Sequence, residues 1–247
     1  APRAAPRPAA PGAMAGRPLA PEELEAVPTI ELLNELKRRH HLLSRPPTRV
    51  AVLGPPCVGK RTQAEAFRRG FGVCRISGQD LLKGSGGEGG TADERAVSTL
   101  MDMLDRPQCR RGFVLEGFPA TAMQAQRLQE AFERQGKAPL EHAIFLDAGE
   151  DALLERCRGR MVHEESGRLY HDQHKPPLDE GVDDFTGQAL VRPPHDDSKF
   201  AQQFKKYSED AGLLRTFFGR LGLVREVSAA GAADAVSASC AEAVKKA

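Results

Sequence analysis

Tryptophan is absent from the chain, tyrosine occurs twice, and aromatic residues make up only 5% of it. A core therefore has to come mainly from Leu, Val and Ala, and an apolar content of 40% is enough to build one. No run of 18 apolar residues occurs, so no segment reads as a membrane-spanning helix. Neither sign of charge dominates. A net charge of +1 argues against nucleic acid as the main partner. Cysteines stand at 57, 74, 109, 157 and 240 with no paired spacing. An odd, dispersed set predicts reduced thiols and an intracellular compartment. Acidic residues are missing before Glu22. Residues 1–27, rich in Ala, Pro and Arg, are expected to be extended or disordered. A basic, acid-poor stretch also fits the remnant of a targeting segment for a mitochondrion or another organelle, with the cytoplasm as the alternative. The first residue is Ala rather than Met, as in a processed or incomplete chain.

What is present is organised around one loop, Gly54-Pro55-Pro56-Cys57-Val58-Gly59-Lys60-Arg61-Thr62-Gln63. The apolar run Val50-Ala51-Val52-Leu53 before it reads as a buried parallel strand. The stretch Ala64 to Gly70 after it reads as a short helix, with Gly70 as its stop. Backbone N–H groups in such a loop point at an anion, a helix N-terminus adds partial positive charge, and Lys60 reaches terminal phosphates. The strict pattern has Ser or Thr directly after the lysine; here Arg61 intervenes and Thr62 follows. A strand–helix turn without ligand is the plainer alternative.

Along the chain, Thr29 to Leu43 predicts an amphipathic helix with Ile30, Leu33 and Leu36 on one side. Strands are predicted at 72–76, 113–115, 143–146 and 221–227. Between them lie helices that begin with the capping boxes Thr91/Glu94 and Thr121/Gln124. A helix over Asp151 to Arg160 would place Arg156 and Arg160, four apart, on one face. A long helix over Asp197 to Phe218 carries Phe200, Phe204, Tyr207, Ala211, Leu214 and Phe218 alternately four and three apart, and 232–246 forms the last helix. Met161 to Arg192 breaks the alternation as a polar, irregular or β-rich insert. Strands alternating with helices imply an α/β fold with a five-stranded parallel sheet covered on both faces.

Five stretches carry a resemblance: GPPCVGKRTQ; ISGQDLL; FVLEGFPATAMQAQ; ERCRGRMVHEESGRLYH; and DDFTGQALVR. Together, in this order and over roughly 28–247, they resemble the long-form adenylate kinases of the nucleoside monophosphate kinase family. The leading helix is similar to the eukaryotic, plant-type branch in particular. The resemblance implies a lid at about 161–192 and an AMP-binding segment whose remnant is 77–90. It implies Mg2+-dependent transfer of the γ-phosphoryl group of ATP to AMP. Phosphoryl transfer is mostly positioning and charge neutralisation, so the cations are the informative residues.

On the ATP side the resemblance assigns Gly54, Gly59, Lys60, Thr62, Arg156, Arg160 and Tyr170 to nucleotide binding, with His163 in the lid motif. Lys60, Arg160 and Arg192 are its catalytic cations. Glu116 replaces the usual Asp near Mg2+, which Thr62 also serves. Cys57 and Arg61 replace glycines of the phosphate loop. On the AMP side the remnant is Asp80, Lys83 and Gln124. Gly78 stands where the family has a contacting Thr. Lys83 replaces an arginine and loses bidentate phosphate recognition. Ala120 and Gln203 stand at two further arginine positions. The glycine tract Gly84 to Gly90 is too short for the family's two small AMP-clamping helices.

The expected protein is therefore adenylate kinase-like, with an ATP-type site, weak or no AMP binding and impaired phosphotransfer. Its expected role is structural or regulatory, with protein partners in a larger assembly. The alternatives are an active ATP:AMP, or other nucleoside monophosphate, phosphotransferase and an ATP-sensing module. His163, His171 and His174 raise a metal, but the family's metal-bearing lids use cysteines and the insert has none, so no zinc is expected. Asp183-Asp184 and Asp196-Asp197 read as exposed turn and helix-start residues.

Overall fold

The computed structural model describes residues 25, 27–43, 45–84, 90–193 and 196–245. Most of the segment 1–27, most of the tract Gly84–Gly90, and Pro194-His195 lie outside them. The chain divides into two compact units, one of 42–158 with 195–247 and the other of 1–41 with 159–194.

Thr29–Leu43 forms helix α1. Its Ile30, Leu33 and Leu36 are exposed. In the larger unit, β1 (Thr48–Leu53) leads through the loop into α2 (Lys60–Phe71). The stop of α2 is Gly72 rather than Gly70. Gly72 takes the left-handed conformation at φ 68, and its N–H closes on the Arg68 carbonyl. Then follow β2 (Cys74–Ser77), α3 (Gly78–Gly84) and α4 (Ala92–Leu104). The capping box at Thr91 and Glu94 forms in both directions. Next come β3 (Gly112–Glu116), α5 (Ala122–Arg134), β4 (His142–Asp147) and α6 (Glu150–Arg158).

The strands β5 (Arg160–His163) and β6 (Arg168–His171) form an antiparallel hairpin in the smaller unit, Arg160 opposite His171 and His163 opposite Arg168. Back in the larger unit lie α7 (Asp197–Arg220), β7 (Val224–Ser228) and α8 (Ala233–Ala243). Asp196 caps α7 by accepting from the N–H groups of Ser198 and Lys199.

The five-stranded sheet has the order β2-β3-β1-β4-β7 and is parallel at every pairing. Successive residues on a strand point to opposite faces. Accordingly Ala51, Leu53, Phe113, Leu115, Ala143 and Phe145 enter one apolar cluster with α4, α5 and the end of α7. Val50, Val52, Val114, Ile144 and Leu146 enter the other, with Phe67, Leu153, Phe200 and Val236. Phenylalanine contributes more than the low aromatic content suggests: Phe67, Phe113, Phe118, Phe132, Phe145, Phe200 and Phe218 are all buried. No helix among the described residues is long and apolar enough to cross a membrane.

Candidate nucleotide-binding site

β1 lies between β3 and β4, so the loop after it emerges at the carboxyl edge of the sheet's centre. Gly54 is held against β4. A β-carbon there would stand 2.8 Å from the Leu146 carbonyl oxygen and 2.9 Å from Val58 Cγ1. Gly59 precedes α2 with φ 98, no side chain caps the helix, and its first turn holds no acid. The free N–H groups and the helix dipole of this terminus suit an anion. Lys60 Nζ donates to the carbonyls of Gly54, at 2.7 Å, and Pro55, at 2.6 Å. Burial pulls its pKa down to about 8, partly opposed by the nearby Glu116 carboxylate. Thr62 and Arg61 are exposed. Nothing in the structure explains Arg61.

Two kinds of pairing, disulfide and salt bridge, were not legible in the sequence. Cys57 and Cys157 form a disulfide, as do Cys74 and Cys109, leaving Cys240 free and buried. The expectation of reduced thiols is thus corrected. Separations of 100 and 35 residues hide partners that the parallel sheet brings together. Cys57 also has φ 59, the only positive φ outside glycine among the described residues. The second pairing is Glu116 with Arg75, a salt bridge between β3 and the neighbouring β2. Magnesium held mainly by nucleotide phosphates asks little of the protein. The Thr62 hydroxyl and the Glu116 carboxylate fit that modest demand, although Arg75 already neutralises the carboxylate.

Arg156 sits on α6, half-buried, with no hydrogen bond or ion pair to the described residues. It does not share a helical face with Arg160. The helix stops at Arg158, and Arg160 opens β5. The break lies at Gly159, where a β-carbon would meet Asp172 Oδ1 at 2.2 Å and the His171 ring at 2.5 Å.

Of the residues expected on an acceptor side, Asp80 and Lys83 are exposed on α3. Gln124 is buried, and its carboxamide is taken up by the protein. Its Oε1 accepts from the Ala120 N–H at 2.7 Å, and its Nε2 donates to Asp93 at 2.8 Å. Gly78 has no space for a β-carbon, which would stand 2.9 Å from Phe118 Cβ and about as close to the Gly117 and Glu116 carbonyls. Gln203 is exposed on α7.

In the smaller unit, Asp183 is buried, contrary to the expectation of an exposed turn. It accepts from the Arg168 guanidinium at 2.7 and 2.5 Å, from the Tyr170 hydroxyl at 2.9 Å, and from the Thr186 hydroxyl at 2.9 Å. These donors, Arg168 first, hold its carboxyl far below the usual carboxylate range. Tyr170 is therefore committed to the hairpin's interior, its oxygen also accepting from the Asp184 N–H at 3.1 Å. His163 lies between Ser166 and Gln188, at 2.7 and 2.5 Å. The Gln188 Oε1 acceptor makes Nε2 the donor, leaving Nδ1 to accept from Ser166. Exposed Arg192 meets Asp172 at 3.4 Å. No group of His, Cys, Asp and Glu among the described residues is arranged to hold a metal ion.

A phosphate-binding loop at the carboxyl edge of a five-stranded parallel sheet, with a polar hairpin insert, defines a P-loop α/β protein of the kinase type. The chain matches the family model for the adenylate kinase active-site lid over residues 160–193 and that for the AAA domain over 53–175. It is 34% identical over 184 residues to adenylate kinase 4 of Oryza sativa subsp. japonica, covering 68% of this chain and 75% of the relative. Adenylate kinase 4 of Arabidopsis thaliana is 33% identical over 185 residues, covering 69% and 75%. An adenylate kinase of Vanderwaltozyma polyspora is 32% identical over 205 residues, covering 76% and 92%. The chain belongs to the adenylate kinase family.

Proposed function

We propose that this family member binds ATP at the Gly54–Lys60 loop and phosphorylates AMP weakly or not at all. The acceptor side carries this reading. Ala120 and Gln203 stand where the family places arginines. The Gln124 carboxamide is tied to Ala120 and Asp93, and Gly78 has no room for the side chain of a contacting threonine. An arginine acting on a transferring phosphoryl group is worth roughly 10³–10⁵ in rate. Removing such groups costs turnover more than it costs ATP affinity.

The donor side is better equipped. Lys60 lies within reach of the loop's anion cradle, Arg156 is half-buried and unpaired among the described residues, and Arg160 and Arg192 carry the family's lid cations. When bound, Mg2+ would neutralise charge on the nucleotide's phosphates, with Thr62 and Glu116 the residues to hold it. The role that remains for such a protein is structural or regulatory, in a larger assembly.

The test is ADP formation from ATP and AMP with Mg2+, beside Lys60→Ala. Background turnover with ATP binding intact is expected. Efficient turnover that disappears in Lys60→Ala would replace this reading with the second one, an active ATP:nucleoside monophosphate phosphotransferase. That second reading is favoured by the relatives' names and the retained Gly54, Gly59 and Lys60 of the phosphate loop.

A further inference from the structure

Of the two disulfides, only one enters the candidate site. Cys57 lies inside the phosphate loop, and its partner Cys157 directly follows Arg156 on α6, with the two Cα atoms 5.5 Å apart. Both residues are partly exposed, so a small thiol can reach the bond. Cys74 and Cys109, by contrast, join β2 to a short turn, and Cys109 is buried against the apolar cluster. Cys240 is buried, and burial pushes its thiol up to about 11, so it takes no part in exchange near neutral pH.

The backbone at Cys57 gives this bond a consequence. A residue with a β-carbon stays in the left-handed region only where the surrounding structure over-determines it. At φ 59, Cys57 occupies that region. The family has glycine here, which needs no such support. In this chain the bond to Cys157 is the covalent restraint placed to supply it. While the bond is intact, the loop amides from Cys57 to Lys60 are held in one arrangement beside Arg156.

We infer that Cys57 and Cys157 form a thiol–disulfide exchange site that sets the nucleotide affinity of the phosphate loop, with the oxidised form binding ATP more tightly. The reducing partner is a dithiol. One of its thiolates attacks a sulfur of the Cys57–Cys157 bond, which breaks and leaves a mixed disulfide. Its second thiol then displaces the protein sulfur. The protein gains two electrons and two protons as two thiols, and the dithiol leaves as a disulfide. Once reduced, Cys57 relaxes out of the left-handed region, and ATP has to reorder the loop on binding. An affinity loss on the order of tenfold is expected for a backbone penalty of this kind.

This inference rests on the loop binding ATP, and the experiment separates the two claims. The full chain is equilibrated with oxidised or reduced dithiothreitol. Thiol alkylation with mass spectrometry reports which cysteines are bonded, and calorimetry with MgATP reports affinity. Reduction is expected to weaken binding about tenfold. Cys157→Ser and Cys157→Ala should hold the weaker value under both conditions, and Cys74→Ser should keep the full response. Equal affinity in the two forms, with binding intact, overturns the switch and leaves the ATP reading standing. Alkylation of Cys57 and Cys157 after oxidation overturns it as well. Absence of ATP binding in both forms overturns both claims.

Discussion

The side chain of Lys60 crosses the face of Gly117. A β-carbon on that glycine would stand 3.4 Å from the lysine Cε. This contact, with the carbonyls of Gly54 and Pro55, keeps the ammonium under the loop. Its charge is then costly, which is why the pKa falls to about 8.

On the proposed ATP reading, a proton should accompany the nucleotide. Phosphates favour the charged lysine, so ATP binding near pH 8 should take up a proton, and affinity should fall as pH rises beyond 8. The stability effect has its own sign. The folded pKa lies below the unfolded one, so the unfolded chain holds more protons between about 8 and 10.5. The cost of the buried cation is full below that window and fades as pH rises through it. Calorimetry in two buffers of different ionisation heat measures the uptake. Equal heats in both buffers would contradict this account.

The carboxylate of Asp183 should anchor the hairpin unit. Asp183→Asn leaves the Arg168 guanidinium without its counter-charge, and a loss of about 2 kcal/mol is expected, less than for a fully buried pair because Arg168 is partly exposed. The folded pKa is depressed, so this contribution is present above the ordinary carboxylate value of about 4 and fades as pH falls below it. Hydrogen exchange across residues 160–193 reads the change locally. Unchanged protection there would show that the network contributes little.

The Cys74–Cys109 bond should act on stability alone. It closes a loop of 35 residues, for which chain entropy gives about 3–4 kcal/mol. Cys74→Ser should lower the urea midpoint accordingly. A midpoint equal to that of the parent chain would mean the bond does not form in solution.

Gly78→Thr should fail to rebuild an acceptor contact. The added β-carbon meets Phe118 Cβ and two carbonyls at about 3 Å, and overpacking of this kind costs roughly 1–3 kcal/mol. Thermal melts with and without AMP provide the measurement. AMP protection gained by the variant would refute the steric argument.

The sheet and its helices were legible because the relevant signals are local. The run Val50 to Leu53, the capping box at Thr91, and the alternating apolar spacing of α7 each fix one element within a few residues; at Thr121 the N-cap forms, but Gln124 turns to the Ala120 N–H and the expected box does not close. The loop was legible because Gly54 and Gly59 meet backbone demands and Lys60 follows them at a fixed spacing. Other features depend on which residues the fold brings together across long separations. Neither the Cys57–Cys157 bond nor the Arg75–Glu116 pair leaves a mark on spacing. Burial of Asp183 was misread because an aspartate pair among glycines looks like a turn until its donors on β6 are placed. The helix end at Arg158 was misread because helical periodicity runs on through Gly159, and only the crowding by Asp172 and His171 shows why it stops.

The tight quarters around Gly78 bear on history as well as on chemistry. Where the family's threonine would have to sit, Phe118 and the strand-end carbonyls already occupy the space. A descendant of this chain could not regain that residue by one codon change without first moving its neighbours. Such a variant would be less stable before any acceptor contact formed, so the substitution and the repacking of its neighbours would have to arrive together.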